Sequence, residues 1–236
     1  MLPNLSSIFA SAGAPPLVLA TAMESVWSFF ATGGPFMVAI VACSLVAFAV
    51  IVFKLRTLTQ ERVVPARLAG EVERMEEFLG AGSLGQLEDE FSGGQTSLAR
   101  LCAIALRKSG LPRGEVQLVV QSSAREEVVK MHSGLPVLEV IINIAPLLGL
   151  LGTASGLALV FRDLGAAANH AEIAKGIFMA LSTTIVGLAV AVPSVIAHSH
   201  FSRKIETMAA RLEVLLSHVI SATHGPTADP ERVRHL

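Results

Sequence analysis

Two long apolar runs separated by a short polar connection constrain this chain more than any other feature of its sequence. They extend over residues 142–161 and 176–194, and neither contains a charged residue. At about 1.5 Å of rise per residue, about 20 helical residues match the ~30 Å hydrocarbon core of a bilayer. Gly, Pro, Ser and Thr interrupt both runs, which is typical of membrane helices that pack on one another or line a polar path. The pattern predicts an antiparallel transmembrane hairpin.

A third apolar run, residues 35–53, is also long enough to cross a membrane. With 52% hydrophobic residues and a mean hydropathy of +0.61, the chain is too apolar for an ordinary soluble domain. We therefore expect an all-α integral membrane protein with three transmembrane helices extending into a cytoplasmic helical bundle, and the lipid bilayer is a necessary partner. The formal net charge of -1 gives no electrostatic basis for binding nucleic acid.

Lys and Arg are distributed unevenly around the three runs. None precedes the first run, eleven lie between the first and second, two lie in the connection and five follow the third. By the positive-inside rule, the N-terminus faces the periplasm and the C-terminus faces the cytoplasm. The predicted organisation is a periplasmic N-terminal segment (1–34) with an interfacial helix at 23–30, a first span (35–53), a cytoplasmic helical loop (54–136), a second span (137–161), a short periplasmic connection (162–175), a third span (176–197) and a cytoplasmic helix and tail (198–236).

The cytoplasmic parts carry apolar residues at helical spacing, which predicts amphipathic helices that pack together. A helix beginning at Glu115 is expected to continue through Gly134 and Pro136 into the second span with a kink. Lys54 and Arg56 follow the first span, where their side chains can reach the lipid headgroups. The apolar positions are Leu68, Val72, Met75, Leu79, Leu98, Leu101, Ile104, Ala105, Ile205, Met208, Leu212, Leu215 and Val219.

Small residues mark one face of the second span. Gly152 and Gly156 form a GxxxG motif, and Gly149 lies one turn before it. Such residues let helix backbones approach closely, so this face is predicted to be a helix–helix interface, within one chain or between subunits. We assign Gly187 on the third span to the same role. Direct contact of this face with an ion is the alternative.

Hydroxyl side chains are candidates for a polar path. Thr153 on the second span and Thr184 on the third fall within about one turn of the same depth. Ser155 and Thr183 are included with them as pore-lining candidates. A membrane Ser or Thr can instead bond to a carbonyl one turn earlier in its own helix, and that reading stays open for each. A hydroxyl does not titrate near neutral pH, so a proton path needs a carboxylate from elsewhere.

The remaining candidates have simpler readings. Glu139 near the start of the second span is either an interfacial cap or part of a cytoplasmic ion entrance. Pro146 and Pro193 predict kinks inside the spans. His198 and His200 point away from each other on a helix, so no metal site is expected. We find no nucleotide-binding, hydrolase or redox motif and predict neither a cofactor nor an enzyme.

The two hairpin runs carry a recognisable signature. APLLGLLGTASGLALVF (145–161) and ALSTTIVGLAVAVPSVIAHSHF (180–201) resemble the MotA/TolQ/ExbB proton-channel family. GGPFMVAIVACSLVAFAVIVFKL (33–55) resembles the first span of its ExbB/TolQ branch. Three spans fit that branch better than MotA, which has four.

The resemblance implies long helices that extend from membrane into cytoplasm, assembled as a homopentamer around two copies of an ExbD- or TolR-like single-span partner. In that family the partner carries a membrane Asp that exchanges protons and faces threonines matching Thr153 and Thr184. Proton flow then drives rotation that transmits work to an outer-membrane system, with a TonB- or TolA-like protein as a further partner. The implied location is the bacterial inner membrane.

One position departs from the family pattern. ExbB and TolQ often carry Glu five residues before the threonine matched to Thr184, where this chain has Met179. The partner's carboxylate would then be the one titrating group at that level, so proton and sodium coupling both stay open. The chain is interpreted as the channel subunit of an energy-transducing motor that supports outer-membrane transport or envelope integrity. The alternative is a non-conducting scaffold that anchors a partner protein.

Overall fold

The computed structural model describes residues 34–75, 91, 93–163 and 170–224. In these residues the chain forms helices and no strand. The helices are α1 (Gly34–Thr57), α2 (Gln60–Val63), α3 (Ala66–Glu73), α4 (Ser97–Arg107), α5 (Arg113–His132), α6 (Leu135–Asp163) and α7 (His170–His224). The predicted all-α class is confirmed. The expected interfacial helix at 23–30 and the tail beyond residue 224 lie outside the described residues.

Three helical stretches are long and apolar enough to cross a membrane. They are α1, the stretch from Arg113 to Arg162 that contains α6, and α7. Few of their apolar side chains are buried within the chain, and large residues such as Phe48, Leu150 and Ile185 are more than half exposed. Large apolar side chains on an outer surface suit a hydrocarbon solvent, because in water they would form an unfavourable patch.

The chain divides into two compact units. The membrane unit comprises the described residues up to Val46 together with Val140–Pro193, and the bundle unit comprises Ala47–Glu139 and the described residues from Ser194. The membrane unit holds the beginning of α1, most of α6 and the first part of α7. The bundle unit holds the remaining helices and the second half of α7.

The bundle unit has an ordinary hydrophobic core. Its α4 begins at the N-cap Thr96, whose hydroxyl accepts a hydrogen bond from the backbone N–H of Ala99 at 3.3 Å. The predicted amphipathic faces are buried here as expected, except that Ile104 is half-buried. Leu79 lies outside the described residues. The most deeply buried members of this core include Phe91, Leu98, Leu101, Val116, Val120, Ile205, Leu212, Leu215 and Val219.

Helices α5 and α6 are separated only by Ser133 and Gly134. Gly134 has a φ of +83°, a left-handed conformation that L side chains rarely adopt. The helix that we expected to continue into the second span is therefore interrupted, because Gly134 follows the end of one helix and precedes the start of the next. Pro136 follows as the second residue of α6, where it costs no intrahelical hydrogen bond.

Lys54 corrects one expectation. We expected its head group at the lipid surface, but the residue is only 3% exposed and its Nζ donates to the Met131 carbonyl at 2.7 Å. That carbonyl lies in the last turn of α5, where backbone acceptors lack helical partners and a cation is favoured. Lys54 thus caps α5, while Arg56 is exposed. An ammonium takes this position because it satisfies an otherwise orphaned carbonyl.

Both cysteines are free in the described residues. Cys102 is buried, and burial raises the pKa of its thiol to about 12. Its thiol therefore stays protonated and unreactive near neutral pH. Cys43 on α1 is half-buried.

A buried carboxylate joins α4 to α5. Glu127 accepts hydrogen bonds from Arg100 Nη2 at 2.5 Å, Ser97 Oγ at 2.9 Å and Lys130 Nζ at 3.3 Å. Burial alone would raise the pKa of Glu127, but the hydrogen bonds from Arg100 and Ser97 and the charge of Arg100 lower it below its usual range. The carboxylate is held ionised by these contacts.

The φ of Gly134 leads to a stability prediction. Gly134→Ala should lower the free energy of unfolding by about 1 to 2 kcal/mol, because an L residue is strained in the left-handed region. Gly70→Ala in α3 is the matched control. Nothing lies within 4 Å of an added Cβ there, so this change should stabilise by up to about 1 kcal/mol. Thermal unfolding followed by circular dichroism measures the stability of both variants. Equal changes in stability would contradict the left-handed conformation of Gly134.

The lowered pKa of Glu127 makes stability depend on pH. Its contribution is complete above the unfolded-state pKa and is lost as pH falls through the lower folded-state value. Glu127→Gln should destabilise the protein at pH 7 by about 1 to 3 kcal/mol and reduce the loss of stability below pH 4.5. Glu126→Gln, whose side chain is 69% exposed, should change stability by less than about 0.5 kcal/mol. Melting curves at several pH values distinguish the two variants.

Candidate functional site

Helices α6 and α7 approach each other almost backbone to backbone within the membrane unit. A Cβ added at Gly149 would lie 2.9 Å from the Thr183 carbonyl oxygen, and one at Gly156 would lie 2.8 Å from the Ala180 Cβ. A Cβ added at Gly187 would lie 2.6 Å from the Ala145 carbonyl oxygen. Each distance is too short for a real Cβ, so only glycine permits this α6/α7 interface. The glycines that we assigned to helix packing lie at this interface.

The Gly149 carbonyl is the centre of a polar cluster at the interface. Its oxygen lies 3.1 Å from Thr153 Oγ1, 3.1 Å from Thr183 Oγ1 and 3.0 Å from Thr184 Oγ1. Thr153 Oγ1 and Thr184 Oγ1 are 2.5 Å apart. The structure thus brings together three of the four hydroxyls that we considered for a polar path.

The hydroxyl protons in this cluster have more than one acceptor. Thr153 can donate to Gly149 O, to Ala180 O at 3.1 Å, or to Thr184 Oγ1. Thr184 can donate to Gly149 O or to Thr153 Oγ1. Each hydroxyl has one proton, so at least two donor arrangements satisfy the same heavy-atom positions. The Thr153–Thr184 pair can therefore reverse its direction of donation without moving a helix.

The hydroxyls differ in burial. Thr183 is 2% exposed, and its Oγ1 lies 2.8 Å from Ala180 O. Ser182 is 5% exposed and donates to the Phe178 carbonyl of its own helix at 2.7 Å. Thr153 and Thr184 are half-buried, so both keep some surface at the edge of the interface.

A cleft of 490 Å³ lies beside the α6/α7 interface. Ser155, Thr183 and Met179 line it, and Glu172 lies at its end near the start of α7. Ser155 is half-buried and forms no hydrogen bond to another described residue. Ser155 therefore contributes to this cleft and not to the Gly149 cluster. Met179 presents a thioether, and no titrating group, to this cleft.

The two prolines lie inside helices that continue through them. Pro146 lies within α6 and Pro193 within α7. Each lacks an N–H, so the carbonyl four residues earlier loses its usual helical donor. These positions weaken the backbone hydrogen bonding of α6 and α7 on the N-terminal side of each proline.

Charged side chains are confined to the ends of the membrane unit. Between 140 and 161, and again between 176 and 193, the sequence has no Asp, Glu, Lys, Arg or His. Glu139 was a candidate for an interfacial cap of the second span. Because α6 begins at Leu135, Glu139 lies in the second turn of the helix. The helix N-terminus favours a negative charge only in the first turn, so Glu139 does not cap α6. Nothing in these two intervals can bind and release a proton.

The histidines after the third run form no metal site in the described part of the chain. His198 is half-buried, and His200 is exposed with its ring against Phe201 at 5.7 Å between centroids. The described residues contain no group of three or more His, Cys, Asp or Glu side chains placed to bind a metal ion.

Two acceptors of the polar cluster, the carbonyls of Gly149 and Ala180, were not among the predicted site groups. Backbone oxygens have no signature of their own in a sequence. The available signal was indirect, because Gly149 is opposite Thr183 and Thr184 only if the two helices are in contact at the glycines. A small-residue face on one helix and adjacent threonines on the other are together the pattern that would indicate such carbonyls.

The fold and the polar cluster define a multi-pass, all-α membrane protein built around a glycine-packed hairpin. The chain belongs to the MotA/TolQ/ExbB proton channel family, whose model matches residues 93–214, and to its ExbB/TolQ branch. That match includes α4, α5, the whole polar cluster and most of α7.

Three relatives illustrate the similarity. A protein of Methanothermobacter thermautotrophicus named as a biopolymer transport ExbB homolog is 33% identical over 193 residues, which cover 81% of this chain and 68% of that protein. An ExbB-like protein of Synechocystis is 29% identical over 168 residues, covering 70% and 79%. The Tol-Pal system protein TolQ of Pseudomonas aeruginosa is 39% identical over 90 residues, covering 37% and 38%.

The packing at Gly152 gives a prediction for the membrane unit. A Cβ there would lie 2.5 Å from Thr183 Oγ1, so Gly152→Val should lower stability by about 1 to 3 kcal/mol through overpacking. Ala154→Val is the control, because Ala154 is exposed on the chain surface. Thermal unfolding in detergent, followed by circular dichroism, should give a lower midpoint for Gly152→Val alone. An unchanged midpoint would contradict the close approach of α6 and α7.

Proposed function

We propose that this chain is the channel-forming subunit of an energy-transducing motor in a bacterial inner membrane. In this role it couples proton motive force to outer-membrane transport or envelope integrity. The observation that supports the proposal best is the Thr153–Thr184 pair, in which hydroxyls from two membrane helices meet at 2.5 Å around one backbone carbonyl. Membership of a proton channel family gives the pair its functional context.

Thr153 and Thr184 are the hydroxyls best suited to contact a mobile group. Both are half-buried, whereas Thr183 is enclosed between the two helices. Their alternative donors and acceptors let the pair accept a hydrogen bond from a protonated acid and donate one to its ionised form. Thr183 is better explained as a residue that ties α7 to the Gly149 carbonyl.

The titrating group must come from another chain. The two hairpin intervals contain no ionisable residue, and a hydroxyl cannot store a proton at neutral pH. A carboxylate is costly in lipid but can change its charge in a polar path between helices. In the proposed assembly, an ExbD- or TolR-like partner with one membrane helix supplies the carboxylate. Two copies of this partner are present in each assembly. A TonB- or TolA-like protein is a further partner.

The exposed apolar faces of the membrane unit fit a homo-oligomer in lipid, and we propose a pentamer. Large side chains that extend outward from this unit include Leu147, Leu150, Leu151, Ile185, Leu188 and Val192. The basic residues favour a periplasmic N-terminus and a cytoplasmic C-terminus. The proposed spans remain 35–53, 137–161 and 176–197.

A non-conducting scaffold is the second candidate function. The hydroxyls of Thr153, Thr183 and Thr184 all have partners within this chain. Hydroxyls that already form hydrogen bonds within the chain need no further role than holding α6 against α7. In that case the chain would anchor its partner protein without carrying ions.

Ion flux separates the two candidates. The chain is reconstituted with its single-span partner in liposomes carrying a pH-sensitive dye, and an imposed membrane potential drives proton entry. Removing one hydroxyl from the pair should lower flux about tenfold or more, because a hydrogen bond to a charged group contributes about 1.5 to 3 kcal/mol. The test variants are Thr153→Val and Thr184→Val.

Two controls make the result specific. Thr184→Ser keeps the hydroxyl and should keep most of the flux. Ser182→Ala removes a membrane hydroxyl bonded to its own helix and should leave flux unchanged. Unchanged flux through both valine variants would exclude the proposed role of the pair, and no flux through the assembled wild type would favour the scaffold. Repeating the assay under a sodium gradient without a proton gradient identifies the ion.

A further inference from the structure

A basic pocket lies on the bundle unit, outside the α6/α7 interface. The pocket has a volume of 300 Å³, and α7 supplies most of its wall. Its cationic lining residues are Arg203, Lys204 and Arg211, with His200 at one end. Among the residues that the structure describes, no Asp or Glu lines the pocket, so its electrostatic potential favours an anion.

The cations of this pocket share one face of α7. Counted from His200, the residues Arg203, Lys204, Thr207 and Arg211 lie three, four, seven and eleven positions further on, a spacing that places them along one side of a helix. Within the described residues, none of the three Arg and Lys side chains forms an ion pair with a carboxylate. Their charges are therefore available to a ligand.

The opposite wall of the pocket adds a polar and an apolar group. Gln60 from α2 supplies an amide, and Val64 directly after α2 is fully buried. Met208 on α7 is 7% exposed and lies beneath the charges. A ligand that fits this pocket thus has an anionic head and some carbon atoms next to it.

The pocket lies close to the proposed inner membrane surface. Arg203 and Lys204 follow the proposed end of the third span at residue 197 by six and seven residues, or about 9 to 11 Å along the helix. Arg211 follows residue 197 by fourteen residues, or about 21 Å, so it adds positive charge at the far end of the pocket and does not itself reach the headgroups. Headgroups occupy about 5 to 8 Å beyond the hydrocarbon core, within reach of long basic side chains.

We propose that this pocket binds the phosphate group of an anionic phospholipid from the cytoplasmic leaflet. The guanidinium group of Arg203 donates to phosphate oxygens in paired geometry, and Lys204 adds a point charge. Arg211, about 12 Å further along α7, raises the positive potential of the pocket. Val64 and Met208 contact the carbon atoms next to the phosphate. Basic clusters directly after a span are where anionic headgroups bind membrane proteins. The site rests on the proposed boundary of the third span.

Lipid binding is tested on the purified full-length chain in detergent by native mass spectrometry. Phosphatidylglycerol is titrated against phosphatidylcholine with the same acyl chains. The wild type should retain phosphatidylglycerol about tenfold more tightly. Arg203→Gln/Arg211→Gln should lose that preference, and Arg203→Lys/Arg211→Lys should keep part of it.

The matched control removes two positive charges elsewhere on the bundle unit. Arg107→Gln/Lys108→Gln changes two exposed residues at the end of α4 and should bind phosphatidylglycerol like the wild type. Circular dichroism verifies that all variants keep their helices. Equal loss in the control, or wild-type binding by the glutamine pair in the pocket, would overturn the site.

Inorganic phosphate distinguishes the source of the ligand. If phosphate alone displaces phosphatidylglycerol at comparable concentration, the pocket binds free phosphate and the lipid assignment is wrong. If it does not, the lipid assignment is supported. The binding assay uses no partner protein and measures no flux, so its failure leaves the channel proposal intact, and failure of the flux assay leaves this site intact.

Discussion

The close approach of α6 and α7 at glycine is the constraint on which the membrane unit depends. Gly149, Gly152, Gly156 and Gly187 remove the side chains that would hold the backbones apart. Only at this separation can hydroxyls of one helix reach a carbonyl of the other. In a membrane, packing and interhelical hydrogen bonds must stabilise such contacts, because lipid offers apolar helices no hydrophobic reason to associate. The glycines and the threonines therefore act together, because the glycines let the two helices approach closely enough for the threonine hydroxyls to bond across the interface.

Much of the helical architecture could be predicted from the sequence, because the signals are local. Long apolar runs without charged residues predicted α1, α6 and the first half of α7, and three- to four-residue periodicity predicted buried positions such as Leu212 and Val219. The sequence also placed Thr153 and Thr184 at one depth by counting residues, and the structure has them in contact. Gly149 and Gly156 were assigned to packing because small residues recur on one helical face.

Other features depend on contacts between distant parts of the chain and could not be predicted. The capping of α5 by Lys54 depends on a carbonyl 77 residues away. The alternative hydrogen-bond partners of Thr153 include backbone carbonyl oxygens, whose positions cannot be inferred from the type of residue that carries them. The burial of Thr183 also differs from that of its neighbour Thr184, although both hydroxyls looked equally available in sequence. Neighbouring residues of a helix point in directions about 100° apart, so a small rotation of α7 would exchange the buried and the partly exposed threonine. Only the packed hairpin shows that Thr183 is the buried one.

Disulfide formation across the α6/α7 interface tests this account most directly. In a background of Cys43→Ala and Cys102→Ala, the pair Gly156→Cys/Ala180→Cys is oxidised in native membranes. An added Cβ at Gly156 lies 2.8 Å from that of Ala180, and a shift of about 1 Å gives disulfide geometry. The account predicts rapid intramolecular cross-linking for this pair and none for Ala154→Cys/Ala180→Cys, since Ala154 is on the opposite side of α6. Equal cross-linking of the two pairs, or none in either, would contradict the glycine-packed hairpin.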